Sequence, residues 1–314
     1  KNLEIVEVPS GTKVLDWTIP PEWNVKSAWV RSLSGKKLID FEDNNLHLLG
    51  YSIPFNGIVS RTELLEHLYT LPEQPDLIPY VTSYYKERWG FCISHNDLDL
   101  LVDDYYQVMI DSELKSGSLT YGQIKIPGES SEEILCSTYC CHPSMANDQL
   151  SGIGLSVALA QYLQNRKRNR YTYKFIFIPE IIGSATYLQN ELPEIKYRVK
   201  AAFNLTCCGD NRNWSYLPTR VGNTYSDKVA LNALSFSGHP FRTFSWNSRG
   251  SDESMFCAPG LDIPMVSIMR TKYGEFAEYH TSGDRLGITV TEDGLESTYQ
   301  FYIKLFEAIE HDCK

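Results

Sequence analysis

Four side chains between residues 142 and 280 could together bind a metal ion. They are His142, Asp148, Glu180 and His280. Imidazole nitrogens and carboxylate oxygens are ligands that zinc accepts in proteins. Where three or four of them converge, one position stays open for water, and zinc lowers the pKa of that water to about 7. A nearby carboxylate could then take the proton of that water, and the pattern therefore predicts a metal site that activates water.

Each of these residues also has a simpler interpretation. Asp148 could cap the following helix together with Ser151. His142 could be a buried, hydrogen-bonded side chain, and Glu180 could face the dipole of a helix N-terminus. His280 could be an ordinary loop residue. All four would have to fall by chance at one edge of the predicted sheet, and we therefore favour the metal site.

The elements that must position these groups alternate between strand and helix from residue 132 onward. The sequence predicts strands at 134–139, 171–178 and 199–205, helices at 150–165 and 183–190, and a last helix that ends near residue 309 with Thr291 as its N-cap. This alternation predicts a mixed or parallel sheet covered by helices. Ligands of such sheets bind beyond the carboxyl ends of the strands, and the candidate residues follow those ends.

The amino-terminal third has a different character. It is rich in aromatic residues, Pro and Asn, and it contains short alternating stretches at 13–19 and 27–32. A hairpin turn is predicted at Ser34-Gly35 and a brief helix at 61–71. These features predict a mostly β unit that precedes the alternating part.

Composition excludes several classes of function. The 314 residues carry 29 Lys and Arg against 39 Asp and Glu, a formal net charge of −10, which leaves no basic face for nucleic acid. No apolar stretch approaches the roughly 18–20 residues that cross a bilayer, and we expect a soluble protein without a membrane partner. The eight cysteines contain no CxxC motif, and no signal peptide is visible. We therefore expect mostly buried thiols in a reducing cytoplasm.

Six stretches carry a resemblance to a known family. Three surround the candidate ligands and read HPSMANDQLSG at 142–152, PEIIGS at 179–184 and EYHTSGD at 278–284. The others read DWTIPPEW at 16–23, IPYVTSYYKERWGFC at 78–92 and GSDE at 250–253. Together they resemble the bacterial aminopeptidase-like proteins found in surface-polysaccharide biosynthesis clusters. Those proteins are distant relatives of the zinc aminopeptidases that have a co-catalytic metal site.

The resemblance implies an α/β fold, an aminopeptidase-like α/β/α sandwich with a mixed central sheet. Residues 1–20 and 115–314 would form this core, and residues 21–114 would form a small inserted, mostly β domain. His142 and His280 match metal-ligand histidines of the family, and Asp148 matches the carboxylate that bridges two metal ions.

Two departures from the family pattern concern the rest of the site. The aminopeptidases have a Glu-Glu pair that supplies a base and a ligand, whereas this chain has Pro179-Glu180. Glu180 therefore resembles either the base or the ligand. The third ligand of the family is an Asp in an NLD phrase, where this chain has Asn204-Leu205-Thr206, and Asp210 could substitute for it.

The carboxylate lost at Thr206 favours one zinc ion over two, because a metal pair needs more negative charge. The ligands would be Asp148, Glu180 and His280, an arrangement that resembles the glutaminyl cyclases, with His142 completing the site or holding a weak second ion. The base would then be Glu253 or Glu278, unless these pair with Arg249 or Arg270. Tyr279 could stabilise an oxyanion.

We expect a zinc-dependent hydrolase of the aminopeptidase type, acting on a small peptide, an aminoacyl compound or an amino sugar. The alternatives are a zinc acyltransferase or cyclase on the same fold, and a binding module whose site has lost catalysis. An oligomer fits the sequence as well as a monomer does. Core packing explains most aromatic residues, but some could stack on a substrate, namely Trp17, Trp23, Tyr84, Tyr85 and Trp89.

Overall fold

The computed structural model describes residues 3–84 and 86–312, and it contains two main β-sheets. The strands are β1 (Leu3–Pro9), β2 (Lys13–Val14), β3 (Trp17–Thr18), β4 (Glu22–Ser32), β5 (Lys37–Asp40), β6 (Phe55–Ser60), β7 (Leu68–Tyr69), β8 (Phe91–Cys92), β9 (Tyr105–Lys115), β10 (Ser118–Ile126), β11 (Glu133–Tyr139), β12 (Thr172–Ile178), β13 (Val199–Asn204), β14 (Ser215–Leu217), β15 (Arg242–Thr243) and β16 (Met265–Met269). The helices are α1 (Arg61–Glu66), α2 (Ser151–Asn165), α3 (Ile182–Arg198), α4 (Tyr225–Ser237), α5 (Glu253–Phe256) and α6 (Glu292–His311).

The larger sheet has eight strands in the order β1-β10-β12-β11-β13-β16-β14-β15. The central neighbours β12, β11, β13 and β16 run parallel, whereas β10 and β14 pair antiparallel with β12 and β16. All seven residues of β11 are buried, as expected of a strand with both faces covered. The predicted mixed sheet is confirmed.

Helices cover both faces of this sheet because successive strand residues point to opposite sides. Ile134 and Cys136 belong to a core with side chains of α2, α4 and α6. Leu135, between them, belongs to a second core with side chains of α3 and α5. The arrangement is the predicted α/β/α sandwich. None of the described helices combines the length and the apolar character that crossing a bilayer requires.

Two predicted helices show how local signals set their ends. Thr291 is the N-cap of α6, as predicted, and its hydroxyl accepts the Gly294 N–H at 3.0 Å. α3 continues to Arg198, eight residues past the predicted end, although Pro193 lies within it. The extension buries Ile195 in the core beneath α3, and this packing outweighs the helix-breaking tendency of Pro193.

The smaller sheet has the order β5-β4-β9-β6 and is built entirely from residues 22–115. The predicted turn at Ser34-Gly35 joins β4 to β5, with Gly35 at φ +87°. α1 ends at Glu66, short of the predicted residue 71, because the chain enters β7 at Leu68. The stretch 13–19 forms the two short strands β2 and β3 and not one strand. All seven described cysteines are free thiols, and Cys313 lies outside the described residues.

Candidate metal centre

His142, Asp148 and His280 meet beyond the carboxyl end of β11. Each contributes one potential ligand atom, and these atoms lie within 4.8 Å of one another. His280 Nε2 and Asp148 Oδ2 are 3.1 Å apart, which is an ion-pair distance for a protonated imidazole, yet both atoms are buried and neither forms a hydrogen bond. Buried polar atoms are normally satisfied, and two that face each other unsatisfied fit the space around a cation. Two imidazoles and a carboxylate are a donor set that suits zinc.

The backbone of Asp148 is fixed by the loop that carries His280. Asp284, four residues after His280, accepts the N–H of Asn147 at 2.7 Å and the N–H of Asp148 at 3.0 Å. These residues lie in a π-helical turn at Ala146–Leu150, just ahead of α2. Asp148 does not cap α2, because the start of that helix has no side-chain cap. The two loops are therefore tied together at the site.

The two carboxylate oxygens of Asp148 differ in their surroundings. Oδ2 faces His280, whereas Oδ1 accepts the hydroxyl of Tyr139 at 2.5 Å. The Tyr139 oxygen also lies 2.7 Å from the Thr206 hydroxyl. Thr206 thus takes part in the site as a neutral hydrogen-bonding group.

His142 lies between a thiol and a carboxylate. Its Nδ1 is 3.3 Å from Cys141 Sγ, and its Nε2 is 3.7 Å from Glu180 Oε2. Burial lowers the pKa of His142, which favours the neutral imidazole. The neutral ring is the form that binds a metal ion.

Glu180 is held by a strained turn ahead of α3. The Ile182 N–H donates to the Glu180 carbonyl at 2.7 Å, and Ile181 between them has φ +63° and ψ −66°. These are the angles of the rare γ-turn with positive φ, which is costly for a β-branched residue. Asp252 Oδ1 accepts the Ile181 N–H at 2.9 Å and the Ser184 hydroxyl. Asp252 thereby stabilises the turn from which the Glu180 side chain reaches the site.

The Glu180 side of the site resists ionisation. Burial raises the pKa of Glu180 well above its usual range, and the charge of Asp252 adds to this. Burial likewise raises the pKa of Asp252 to about 7. A divalent cation beside these groups would favour their ionised forms, since an opposite charge lowers a carboxyl pKa.

Backbone strain is concentrated around the same residues. Five of the seven described non-glycine residues with positive φ lie there, namely Tyr51, Ser144, Ile181, Cys207 and His280 itself. Such conformations cost about 1–3 kcal/mol each and persist where the surrounding structure imposes them. The strain at His280, φ +55°, is consistent with a position set by function.

The other carboxylates named by the sequence analysis lie outside this group. Glu253 accepts hydrogen bonds from neutral donors on both of its oxygens, and Glu278 forms a two-pronged ion pair with Arg212 at 2.8 Å. Their partners are therefore not Arg249 or Arg270. Both oxygens of Asp210 also accept hydrogen bonds, which include two from Thr271.

A cleft of about 760 Å³ opens beside His142, Glu180 and His280. Among its described lining residues none is Lys or Arg, and the lining carboxylates are Glu22 and Glu180. The described lining therefore offers no lysine or arginine to a phosphate or a free carboxylate. It suits a neutral or positively charged molecule.

Aromatic rings form much of the cleft wall. Trp23 stacks on Tyr51 with centroids 5.7 Å apart, and Tyr51 contacts Tyr84 at 5.0 Å. Trp17 also lines the cleft, whereas Trp89 packs between Phe55 and His67 in the core of the smaller sheet. Tyr279 stacks on His280 at 3.9 Å, and Tyr85 lies outside the described residues.

The sequence analysis assigned no role to three residues that lie at the site. Tyr139 ends a buried strand, and Asp284 acts through backbone N–H groups 136 and 137 residues away. Tyr80 comes from the segment between α1 and β9, and its ring lies 5.4 Å from that of His142 and 5.2 Å from that of His280. A useful signal for Asp284 is its position in the stretch that also supplies His280.

Comparisons with known proteins agree with this fold. A family model described as Domain of unknown function (DUF4910) matches residues 1–312. A Clostridium acetobutylicum protein, named as a candidate polysaccharide biosynthesis protein with an aminopeptidase-like domain, is 46% identical over 310 residues. The match covers 99% of this chain and 70% of that protein.

Solved structures extend the comparison to enzymes. The crystal structure of a candidate peptidase from Clostridium acetobutylicum has a TM-score of 0.95 at 44% identity, over 99% of this chain and 75% of that one. The zinc aminopeptidase BSAP of Bacillus subtilis has a TM-score of 0.66 at 14% identity, over 100% and 86%. Glutaminyl cyclase of Porphyromonas gingivalis has a TM-score of 0.51 at 15% identity, over 62% and 80%. The last two likenesses concern the fold alone, and the predicted aminopeptidase-like fold is confirmed.

Proposed function

Because the chain belongs to the DUF4910 family and has the fold of the zinc aminopeptidases, we propose that it is a zinc-dependent hydrolase that cleaves an amide bond. The observation that carries the proposal is the pair of buried, unsatisfied atoms Asp148 Oδ2 and His280 Nε2, which face each other at the end of a large cleft. A scaffold that binds no metal ion would have no need to keep these costly groups unsatisfied.

His142, Asp148 and His280 would hold the ion. When bound, zinc lowers the pKa of water and polarises the carbonyl group of the amide. Glu180 lines the cleft but is not part of the converging ligand set, and we assign it the proton transfer from water to the leaving amine. Asp252 keeps Glu180 in place through the Ile181 turn.

The cleft also supports a substrate class. Its rings can stack on the apolar face of a sugar, and its two acidic residues can accept hydrogen bonds from an amine or from hydroxyl groups. The polysaccharide-related name of the Clostridium acetobutylicum relative agrees with a sugar ligand. We therefore propose an amino sugar that carries an acyl or aminoacyl group on nitrogen, with a peptide amino terminus as the second substrate class.

The proposal is tested with a panel of N-acetyl amino sugars, N-aminoacyl amino sugars and aminoacyl amides. Released amine is measured by mass spectrometry with the metal-free protein and with the zinc-loaded protein. We expect release that a chelator abolishes and zinc restores, and that Asp148→Asn and His280→Ala both lose. His239→Ala is the matched control, since His239 stacks on Trp214 outside the cleft and should retain full activity.

Two outcomes would contradict the hydrolase. The zinc-loaded protein could release no amine from any member of the panel, or Asp148→Asn could remain fully active. Acyl transfer to an added amine, without net hydrolysis, would point instead to a transferase on the same fold.

A further inference from the structure

The carboxylate of Asp148 has one occupied side and one open side. Oδ1 accepts the Tyr139 hydroxyl at 2.5 Å, whereas Oδ2 is buried without a hydrogen-bond partner. An ionised carboxylate can only accept, and the single proton of Tyr139 is therefore committed to Oδ1. The Thr206 hydroxyl lies 2.7 Å from the tyrosine oxygen and donates to the backbone carbonyl of Asp148 at 3.1 Å, so it contacts both residues.

The groups on the two sides also differ in kind. Within the described part of the chain, the ligand-type side chains that converge with Asp148 are the imidazoles of His142 and His280. The Oδ1 side presents the neutral hydroxyls of Tyr139 and Thr206, both of them buried. A neutral hydroxyl is a poor substitute for a carboxylate or imidazole ligand of zinc.

The position of the tyrosine oxygen matters as well. It lies 2.5 Å from Asp148 Oδ1 and 2.7 Å from Thr206 Oγ1. A metal ion bound by these two oxygens would have to lie about 2.0–2.2 Å from each, in the space that the hydroxyl fills. A second ion on this side would therefore have to displace Tyr139, which is buried and packs 5.1 Å from the His142 ring.

From these observations we infer that Tyr139 is a positioning residue that limits the centre to a single divalent ion, by keeping Oδ1 of Asp148 occupied and leaving Oδ2 as its only metal-binding oxygen. The inference rests on the proposed metal site and adds a stoichiometry and a residue that sets it. Because Asp148 then binds through one oxygen, the ligand set stays small and a position remains open for substrate or water.

The first test is the number of zinc ions bound by the intact protein. Metal-free protein is titrated with zinc, and bound metal is measured by elemental analysis after gel filtration, with His280→Ala to subtract metal bound elsewhere. We expect one equivalent at this centre. Two equivalents that both depend on His280 would overturn the inference and leave the hydrolase proposal standing, whereas no bound zinc would overturn both.

The second test removes only the hydroxyl, with Tyr139→Phe. Oδ1 then becomes free to join Oδ2 on the same ion, and the coordination number rises. With cobalt in place of zinc we expect a weaker visible absorption, since four-coordinate cobalt absorbs more strongly than cobalt with more ligands. Loss of a partner that orients a ligand typically costs 10–100-fold in metal affinity, and we expect zinc binding weaker by about tenfold or more.

Tyr302→Phe is the matched control, because it removes a buried hydroxyl that donates to the Ile268 carbonyl at 2.8 Å, in the core packed against α6. It should change neither the cobalt spectrum nor the zinc affinity. If Tyr139→Phe folds and has the wild-type cobalt spectrum and zinc affinity, Tyr139 has a packing role only and the inference is wrong.

Discussion

Asp148 and Glu253 are both fully buried acidic residues, but their surroundings are opposite. Glu253 accepts five hydrogen bonds, from the N–H groups of Gly250 and Ser251 and from the side chains of Asn204, Ser267 and Tyr273. Asp148 has one oxygen satisfied by Tyr139 and one that faces His280 without a hydrogen bond.

The difference shows that burial alone does not identify a functional carboxylate. A saturated carboxylate such as Glu253 organises the loop around it, because every bond it accepts fixes a donor in place. An unsatisfied one costs free energy in the absence of a ligand and is retained where a ligand supplies the missing interaction. The same distinction separates Asp148 from Asp227, whose oxygens accept from Thr219, Tyr216 and Thr224.

The largest effect should come from Asp148→Asn. The amide lacks the charge that offsets the cation, and we expect zinc affinity and amide hydrolysis to fall by about a thousandfold, more than the 10–100-fold typical of residues that only orient a ligand. The fold should persist, since the amide oxygen can still accept from Tyr139. Zinc titration and circular dichroism check this. Wild-type zinc affinity in the variant would show that Asp148, like Glu253, is not a metal ligand.

Glu253→Ala should have the opposite effect, with a loss of stability and no loss of zinc binding. It leaves five donors without their acceptor, and each buried unsatisfied group costs about 1–3 kcal/mol. Allowing for relaxation, we expect the free energy of unfolding to fall by about 3 kcal/mol or more, with the zinc stoichiometry unchanged. Urea denaturation and zinc titration measure the two quantities, and a loss of zinc with unaltered stability would contradict this assignment.

Zinc itself should stabilise the folded protein by binding to Asp148 Oδ2 and His280 Nε2. A ligand that binds only the folded state at a hundred times its Kd adds about 2.7 kcal/mol to the free energy of unfolding. We expect a matching rise in thermal stability for the wild type, none for His280→Ala, and a normal rise for His239→Ala. An equal rise in all three would place the zinc outside the proposed centre.

The smallest expected effect is the pH-dependent loss of stability in Asp227→Asn. Burial would raise the pKa of Asp227, but hydrogen bonds from Thr219, Tyr216 and Thr224 outweigh it and hold the pKa below its usual value. Its stabilising contribution is therefore present above the unfolded pKa of about 3.9 and is lost as the pH falls through the folded value. Asp227→Asn should cost about 1–2 kcal/mol at pH 7, and the difference from the wild type should shrink below pH 4. Denaturation at several pH values tests this, and a difference that grows in acid would be the wrong sign.

The sequence indicates three strands of the eight-stranded central sheet, β11, β12 and β13, and the helices α2, α3 and α6, because their signals are local. The apolar run of β12 and the threonine cap of α6 each identify an element without knowledge of its neighbours. The predicted ends fail where distant packing decides them, as in α3, which continues through Pro193 to bury Ile195.

In the candidate site, too, the sequence identifies some features and the structure decides others. His142, Asp148 and His280 can be named from their residue types and their positions after predicted strands or in a late loop. Glu253 and Glu278 carry the same local signals, but the structure gives them other partners, five neutral donors in one case and Arg212 in the other. Residue type states what a side chain can bind and leaves open what it contacts.

The sequence by itself determined the class of fold, the alternation of strands and helices, and the short set of side chains that could hold zinc, because each follows from periodicity, capping or chemical type over a few residues. Only the tertiary structure decided which of those side chains converge, that Tyr139 occupies one oxygen of Asp148, and that Asp284 ties the two loops together. The physical reason is that hydrogen-bond satisfaction depends on groups from different elements, here 9 to 137 residues apart in the sequence, and every buried donor or acceptor must find its partner among them.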